Sequence, residues 1–157
     1  MPNDPLSSFE IIEAGVSDYL DGLKLQERIH SEVVAGSRSA TMIVIQHPPV
    51  LTLGKHADTR FLGLSMEEFQ RQGVQVVRTD RGGEVTAHMP GQLVVYPILK
   101  LANFGLTPRS FVNLIETSVI KTLAGWGLSA ATDSINPGVW VAQRKICAIG
   151  IRIKERC

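Results

Sequence analysis

The sequence has few cysteines, few aromatic residues and no excess of charge of either sign. Of its 157 residues, two are cysteines and 6% are aromatic, while 16 basic residues stand against 15 acidic ones. Two late thiols, Cys147 and Cys157, exclude a disulfide-rich secreted scaffold and favour a reduced, cytoplasmic compartment. The charge balance lacks the basic excess of a nucleic-acid-binding protein, so we expect no nucleic acid partner.

Long apolar runs and a basic leader are also absent from the sequence. No stretch reaches the roughly 20 apolar residues that a membrane-spanning helix needs, so we expect no membrane association. The first basic residue is Lys24, which argues against a secretory signal and against an arginine-rich transit peptide. The four histidines are scattered and give no metal-ligand spacing, so we predict no metal site.

Helical and extended patterns are mixed along the chain. The apolar content of 44% supports one hydrophobic core, so we expect a single domain over residues 1–157. Helical spacing predicts one helix from Ser17 to about Ala35, ended by Gly36, and another after the Thr107-Pro108 cap. Several extended segments follow one another without room for crossover helices. This favours an α+β fold, with a mixed β-sheet flanked by helices.

Seven segments have the composition or alternation of strands. They are Ala40–Gln46, Val50–Gly54, Val74–Asp80, Gln92–Leu101, Leu128–Thr132, VWVA at 139–142 and KICAIGIRIK at 145–154. The first is almost continuously apolar, which suits burial on both faces. Pro97 favours a sheet edge or a bulge. In the last segment Ile149, Ile151 and Ile153 alternate with small or basic residues, as in a half-covered strand.

The densest group of polar residues is RGGEVTAHMPGQ, at 81–92. Glycines let a backbone approach a ligand closely, while Arg81 and His88 could polarise a carbonyl or hold an acidic group. The alternative is a plain hairpin with a glycine bulge. A hairpin needs neither an arginine, a threonine and a histidine nor a second turn at Pro90-Gly91. We therefore favour a binding segment.

A second candidate is Lys145, which starts an apolar strand after a turn predicted at Asn136-Pro137-Gly138. Such a lysine is ordinarily a solvated residue that protects a strand edge. The alternative is a cation beside a reactive centre, where it lowers a thiol pKa or transfers a proton. Cys147 would lie on the same strand face, at roughly 6.6 Å. A cysteine here more often packs as a small apolar side chain than acts as a nucleophile.

The other histidines and the two tryptophans have simple structural interpretations. We expect His30 to be solvated on its helix, His47 to be a turn residue before two prolines and His56 to lie in a loop after Gly54. Trp126 and Trp140 are expected to pack in the core or at its edge. None of these five residues enters the predicted site.

Four blocks of the sequence resemble the octanoyltransferases of lipoate biosynthesis, the lipoyl(octanoyl) transferases. They are YLDGLKLQE at 19–27, HPPVLTLGKHAD at 47–58, RGGEVTAHMPGQLVVYP at 81–97 and PGVWVAQRKICAIGIRI at 137–153. The resemblance implies that an octanoyl group passes from acyl carrier protein, through a cysteine thioester, to a lysine of lipoyl domains. Those domains belong to 2-oxoacid dehydrogenase complexes and to the glycine cleavage H protein. The implied fold is similar to the catalytic domain of biotin and lipoate protein ligases.

The resemblance also implies roles for single residues. Lys145 matches the family's catalytic lysine, which lowers the pKa of the nucleophilic cysteine. The substrate-binding residues would be Arg81, Gly82, Gly83, Glu84, Val85, Thr86, Ala87 and His88, with main-chain contacts from Ala148, Ile149 and Gly150. Met89 departs from the glycine usual in the family. No cofactor is implied, because the acyl donor is already activated as a thioester.

The family's nucleophilic cysteine lies further toward the C-terminus, in a Pro-Cys-Gly context that these 157 residues do not reach. We therefore expect a catalytic domain that is incomplete at its C-terminus and inactive by itself. One alternative is a lipoate or biotin protein ligase that activates its acid with ATP, although the GRGRxGR-like run of biotin ligases is absent. The other is a non-catalytic acyl-binding module, which would need no nucleophile.

Overall fold

The chain folds into two compact units. The computed structural model describes residues 9–133, 138–154 and 157. Met1–Lys100 and Arg152–Cys157 belong to the first unit, and Leu101–Ile151 to the second. Residues 136 and 137 of the predicted turn lie outside the described residues.

The described part of the first unit contains two α-helices and six strands. They are β1 (Glu10–Val16), α1 (Tyr19–Ala35), β2 (Thr41–Gln46), β3 (Val50–Leu53), α2 (Met66–Arg71), β4 (Gln75–Arg78), β5 (Val85–His88) and β6 (Val94–Ile98). One sheet has the order β1-β2-β6, with β1 parallel and β6 antiparallel to β2. The other has the order β4-β3-β5, with β4 parallel and β5 antiparallel to β3. The predicted α+β class with mixed sheets is confirmed.

Capping residues define both ends of helix α1. The Asp18 side chain accepts a hydrogen bond from the Leu20 amide, which satisfies one of the free donors of the first turn. At the other end Gly36 adopts a left-handed φ of 77°, and its amide donates back to the last turn. The helix predicted between Ser17 and Ala35 is therefore confirmed.

The core of the first unit lies between α1 and the β1-β2-β6 sheet. It consists of six buried aliphatic side chains: Ile29, Val33, Ile43, Ile45, Val94 and Ile98. Each such side chain contributes about 1.5–3 kcal/mol when it leaves water. On β2, alternate residues starting at Thr41 are buried and those between are half-buried. The prediction that β2 is fully buried on both faces is therefore wrong, because only one face meets this core.

The position of Pro97 agrees with the sequence prediction. Pro97 lies in β6, which is an edge strand of its sheet in the described part of the chain. Proline has no amide hydrogen to donate to a neighbouring strand, so an edge position suits it.

The last residues of the sequence belong to the first unit again. There Arg152 pairs with Asp80 at 2.7 Å, and Cys157 packs against the core cluster.

The described part of the second unit contains one α-helix, one short 3₁₀-helix (Leu101–Phe104) and one antiparallel sheet. Helix α3 spans Pro108–Gly125, and the sheet order is β7 (Ala131–Thr132), β8 (Val139–Val141) and β9 (Arg144–Cys147). Thr107 caps α3 through a reciprocal pair of hydrogen bonds with Ser110, which confirms the predicted helix start. Within the described residues, no helix combines the length and apolarity that a membrane crossing requires.

Two sequence predictions for the second unit are wrong. The strand predicted through Ile153 stops at Cys147, because β8 begins at Val139, the residue paired with Cys147. The isoleucine alternation beyond it has no strand of this sheet opposite. Trp126 follows the end of α3 with 73% of its surface exposed, so it is not a core residue.

Candidate active site

The predicted binding segment, residues 81–88, is half loop and half strand. Residues 81–84 form bends, and Val85–His88 form β5, which pairs with β3. Neighbouring strands β4 and β6 do not pair with each other or with β5. A plain hairpin across residues 81–92 would pair β4 with β6, so that alternative is excluded. The sequence prediction treated the whole segment as a link and missed β5.

Arg81 holds the loop of the binding segment, residues 81–84, on β3 through hydrogen bonds. Its Nη2 donates to the Thr52 carbonyl at 2.7 Å and to Thr52 Oγ1 at 2.8 Å, and its Nε donates to the same hydroxyl. Further bonds reach the carbonyls of Gly82 and Glu84. Burial lowers the pKa of the guanidinium, while Tyr19 and Tyr96 oppose that shift. Arg81 thus shapes the segment through neutral acceptors and forms no ion pair with an acid in the described residues.

Gly54, at the end of β3, allows two backbone segments to approach each other closely. A Cβ on Gly54 would lie 2.4 Å from the Gly83 carbonyl oxygen and 2.9 Å from that of Glu84. The Gly54 amide donates to the Glu84 carbonyl at 2.7 Å, and the Lys55 amide donates to that of Arg81 at 3.1 Å. Sequence reasoning missed this glycine, although it lies in the 47–58 block that resembles the family.

Four rings meet beside β5: Tyr19, His47, His88 and Tyr96. The His47 ring centroid lies 5.3 Å from Tyr19, 5.6 Å from His88 and 6.0 Å from Tyr96. Tyr19 stacks on His88 at 6.0 Å with an interplanar angle of 18°. The cluster joins the two sheets of the first unit, since β2 and β6 belong to one and β5 to the other.

His47 is the most buried member of this ring cluster, and its predicted role as a turn residue is wrong. It is fully buried, and Nδ1 donates to the Ser17 carbonyl at 2.8 Å while Nε2 bonds with the Tyr96 hydroxyl at 3.0 Å. Helix α1 crosses the ring at Gly22, where a Cβ would approach His47 Cε1 to 2.8 Å. Partners 30 and 49 residues away in the chain hold this side chain, so no local pattern indicates it.

The two tyrosines of the cluster both have a raised pKa. Burial raises the pKa of Tyr96 and of Tyr19. Asp80 also raises the pKa of Tyr19, whereas Arg81 lowers it. Both hydroxyls therefore remain neutral hydrogen-bonding groups at neutral pH.

In the second unit, Lys145 is an exposed residue of the hairpin that β8 and β9 form. Its Nζ is 4.9 Å from the centroid of the Trp140 ring, and β9 pairs Lys145 with Trp140 across the sheet. An ammonium over an indole face is attracted by the ring quadrupole. The two-residue turn at Ala142 and Gln143 has φ values of 46° and 65°, a left-handed conformation that costs non-glycine residues energy.

Cys147 lies in surroundings that oppose thiolate formation. Burial raises its thiol pKa, Glu116 raises it further, and Lys145 only partly opposes them. The Glu116 carboxylate, on α3, is buried and accepts a hydrogen bond from the Gly138 amide at 3.0 Å. These electrostatics agree with the expectation that Cys147 is not the nucleophile.

The remaining predicted contacts, Ala148, Ile149 and Gly150, follow β9 without regular secondary structure. Ile149 is half-buried, and its two neighbours are exposed. Across the part of the chain that the structure describes, no three histidine, cysteine or acidic side chains come together as metal ligands.

Comparison with known proteins first identifies the fold. The structure of LipL1 from P. falciparum in complex with lipoate superimposes with a TM-score of 0.64, covering 87% of this chain and 41% of LipL1, at 14% identity. Residues 18–157 match the family of the lipoyl protein ligase A/B catalytic domain, and the chain belongs to that family. The predicted likeness to the lipoate ligase fold is therefore confirmed.

Curated relatives refine this assignment. The chain is 38% identical to an octanoyltransferase of Syntrophobacter fumaroxidans over 92% of its own length and 64% of the relative's. It is also 38% identical to an octanoyltransferase of Chloroflexus aggregans, over 94% and 68% of the two lengths. The resemblance stated from the sequence is thus confirmed. The chain spans about two thirds of the length of these relatives.

Proposed function

We propose that the protein is an octanoyltransferase that attaches octanoyl groups to lysines of lipoyl domains. Its 38% identity to octanoyltransferases over more than nine tenths of the chain carries this proposal. The likeness to LipL1, at 14% identity, concerns the fold alone. The donor would be octanoyl-acyl carrier protein, so the reaction would need neither ATP nor another cofactor.

The acceptors and the cellular location follow from the same proposal. Lipoyl domains of 2-oxoacid dehydrogenase complexes and the glycine cleavage H protein would present the acceptor lysine. Both acceptors and the acyl carrier protein would be met in the cytoplasm. Neither nucleic acid nor membrane takes part in the reaction.

The reaction would proceed in two acyl transfers. The thiolate of the cysteine that the resemblance implies beyond residue 157 would attack the carbonyl of the donor thioester, and the thiol of the acyl carrier protein would leave. The acceptor amine then attacks the enzyme thioester, forming the amide, losing a proton and releasing the cysteine. The binding segment at 81–88 would contact the acyl group, and Ala148–Gly150 would supply main-chain contacts.

Lys145 would provide the cation that stabilises the thiolate. It is exposed, it is the second residue of β9, and its aliphatic stem passes Gly138. A positive charge near a thiol lowers the thiol pKa and so increases the thiolate fraction at neutral pH. Cys147 does not receive this activation, because burial and Glu116 outweigh the effect of Lys145 on its pKa.

A transfer assay tests the proposal directly. A longer chain that reaches the C-terminal cysteine implied by the resemblance is incubated with octanoyl-acyl carrier protein and a lipoyl domain, without ATP, and the intact mass of the lipoyl domain is measured. We expect the mass of one octanoyl group to be added at a lysine. Transfer that instead requires free acid and ATP, with an adenylate detected by mass spectrometry, would assign the protein to the ligases and overturn the proposal.

Lys145→Ala tests the role of the cation. We expect the transfer rate to fall on the order of 100-fold, because less cysteine is ionised, while stability changes little. Lys121→Ala, which removes an exposed lysine of α3, is the matched control and should leave the rate unchanged. Cys147→Ser should also retain transfer. A wild-type rate in Lys145→Ala would return Lys145 to the role of a solvated strand-edge residue.

A further inference from the structure

His88 and Gln92 form a hydrogen-bonded pair at the end of the binding segment. Nδ1 of His88 lies 2.9 Å from Oε1 of Gln92. The other end of the same amide is also fixed, since Nε2 of Gln92 donates to the Ala87 carbonyl at 3.2 Å. Because the Ala87 carbonyl oxygen can only accept, the atom of Gln92 bonded to it must be the amide nitrogen Nε2. This fixes the orientation of the Gln92 side-chain amide. The oxygen of Gln92 must then face the imidazole of His88.

The orientation of Gln92 determines which imidazole nitrogen carries the proton. Because the amide oxygen is an acceptor, Nδ1 of His88 must be the protonated donor. In the neutral ring, Nε2 is then an unprotonated acceptor. Within the described residues, Nε2 of His88 has no hydrogen-bond partner, and no buried side-chain nitrogen or oxygen is left without one. The lone pair at Nε2 is therefore accessible from outside the protein.

Several neighbours hold the His88 ring in place and keep it neutral. Tyr19 stacks on one side and His47 contacts it edge to face. Burial lowers the pKa of His88, the Gln92 bond partly opposes this, and His47 and Arg81 lower it further. These are the titratable and charged groups that face the ring from α1, the end of β2 and the β4–β5 loop.

We propose that Gln92 is a positioning residue, which fixes the His88 tautomer so that Nε2 faces the substrate as a hydrogen-bond acceptor. The inference rests on the proposed function, because the binding segment defines where the substrate lies. The chemistry that such a nitrogen recognises is an N–H or O–H donor. Of the reacting groups in an octanoyl transfer, the acceptor lysine amine is the N–H donor.

Side-chain nitrogen NMR of the labelled protein without substrate tests the tautomer. At a pH where His88 is neutral, we expect wild type to show a protonated Nδ1 and an unprotonated Nε2. Gln92→Leu should lose this single tautomer and protonate Nε2 in part. Gln92→Glu should retain Nδ1–H, because a carboxylate is also an acceptor, and should raise the His88 pKa.

The transfer assay supplies the second measurement. Gln92→Leu should lower kcat/KM about tenfold, and Gln92→Glu should move the acidic limb of the pH profile upward together with the His88 pKa. Gln70→Leu, at an exposed position of α2, is the control and should change neither measurement. Both variants alter an exposed side chain, so the fold should persist in each.

Three results would overturn the inference. The first is a protonated Nε2 of His88 in the wild-type protein. The second is an unchanged His88 tautomer in Gln92→Leu. The third is an altered tautomer in Gln92→Leu together with a wild-type transfer rate. Failure of the proposed function has a different signature, because the wild-type protein would then show the expected tautomer but transfer no octanoyl group.

Discussion

The binding segment at 81–88 and the hairpin that carries Lys145 differ in how they are held. Arg81 and the amides of Gly54 and Lys55 bind the segment to β3 and to the chain that follows it. Lys145 instead is exposed and rests on one indole ring, beside a turn in a left-handed conformation. The segment is therefore preorganised before any ligand binds, whereas local interactions position the lysine. Substitutions should accordingly reduce stability in the first region and chiefly activity in the second.

The largest loss is expected from Gly54→Ala. The new methyl group would lie 2.4 Å from the Gly83 carbonyl, and backbone on both sides would have to separate. We expect a loss of about 3 kcal/mol in the free energy of unfolding, measured with urea. Gly125→Ala, at a helical position with open space around it, is the control and should be neutral or slightly stabilising. Equal losses in both variants would show that the close approach is not the cause.

Arg81→Lys is expected to have the next largest effect. Lysine lacks the planar fork that reaches both oxygens of Thr52, so the loop loses several charge-assisted bonds. The expected cost is about 2 kcal/mol in the same urea experiment. Arg60→Lys provides the comparison, since Arg60 is 85% exposed in its pair with Asp58 and should contribute little. If Arg81→Lys left the free energy of unfolding unchanged, the hydrogen bonds of Arg81 would not be what holds the loop on β3.

In the Lys145 hairpin, Gln143→Gly is expected to stabilise. Glycine adopts the φ of 65° without the strain that a side chain brings, which is worth about 1 kcal/mol. Thermal unfolding should show the gain as a raised Tm. Gln70→Gly, in the last turn of α2, should have the opposite sign because glycine weakens helices. A lower Tm for Gln143→Gly would mean that the turn is not strained.

The smallest effect is a pH dependence arising from His88. Its pKa in the folded state lies below the ordinary value of 6.5, so below that value the unfolded chain binds more protons. Stability should therefore fall as the pH is lowered through this range. His88→Gln should remove this part of the slope in urea titrations between neutral and mildly acidic pH. If the slope of stability against pH stayed unchanged in His88→Gln, other titratable groups would be its cause.

Local signals in the sequence predicted the helices and the mixed sheets, but not the parts that depend on distant contacts. Gly36 ends α1 and Thr107 caps α3 through neighbours three residues away, so these two helix ends could be predicted. His47 could not be assigned, because its partners come from α1 and β6. The 81–88 block was located through its residue types and its resemblance. Strand β5 was missed because its partner, β3, lies some 30 residues earlier.

Amide hydrogen exchange in the absence of ligand tests most directly whether the binding segment is preorganised. The amides of Gly54 and Lys55, which donate to the carbonyls of Glu84 and Arg81, report on the segment, and those of Ala142 and Gln143 report on the hairpin turn. We expect the first pair to exchange on the order of 100-fold more slowly than the second. Equally fast exchange of Gly54 and Ala142 would show that the segment is not held in place before ligand binds, and would contradict the account.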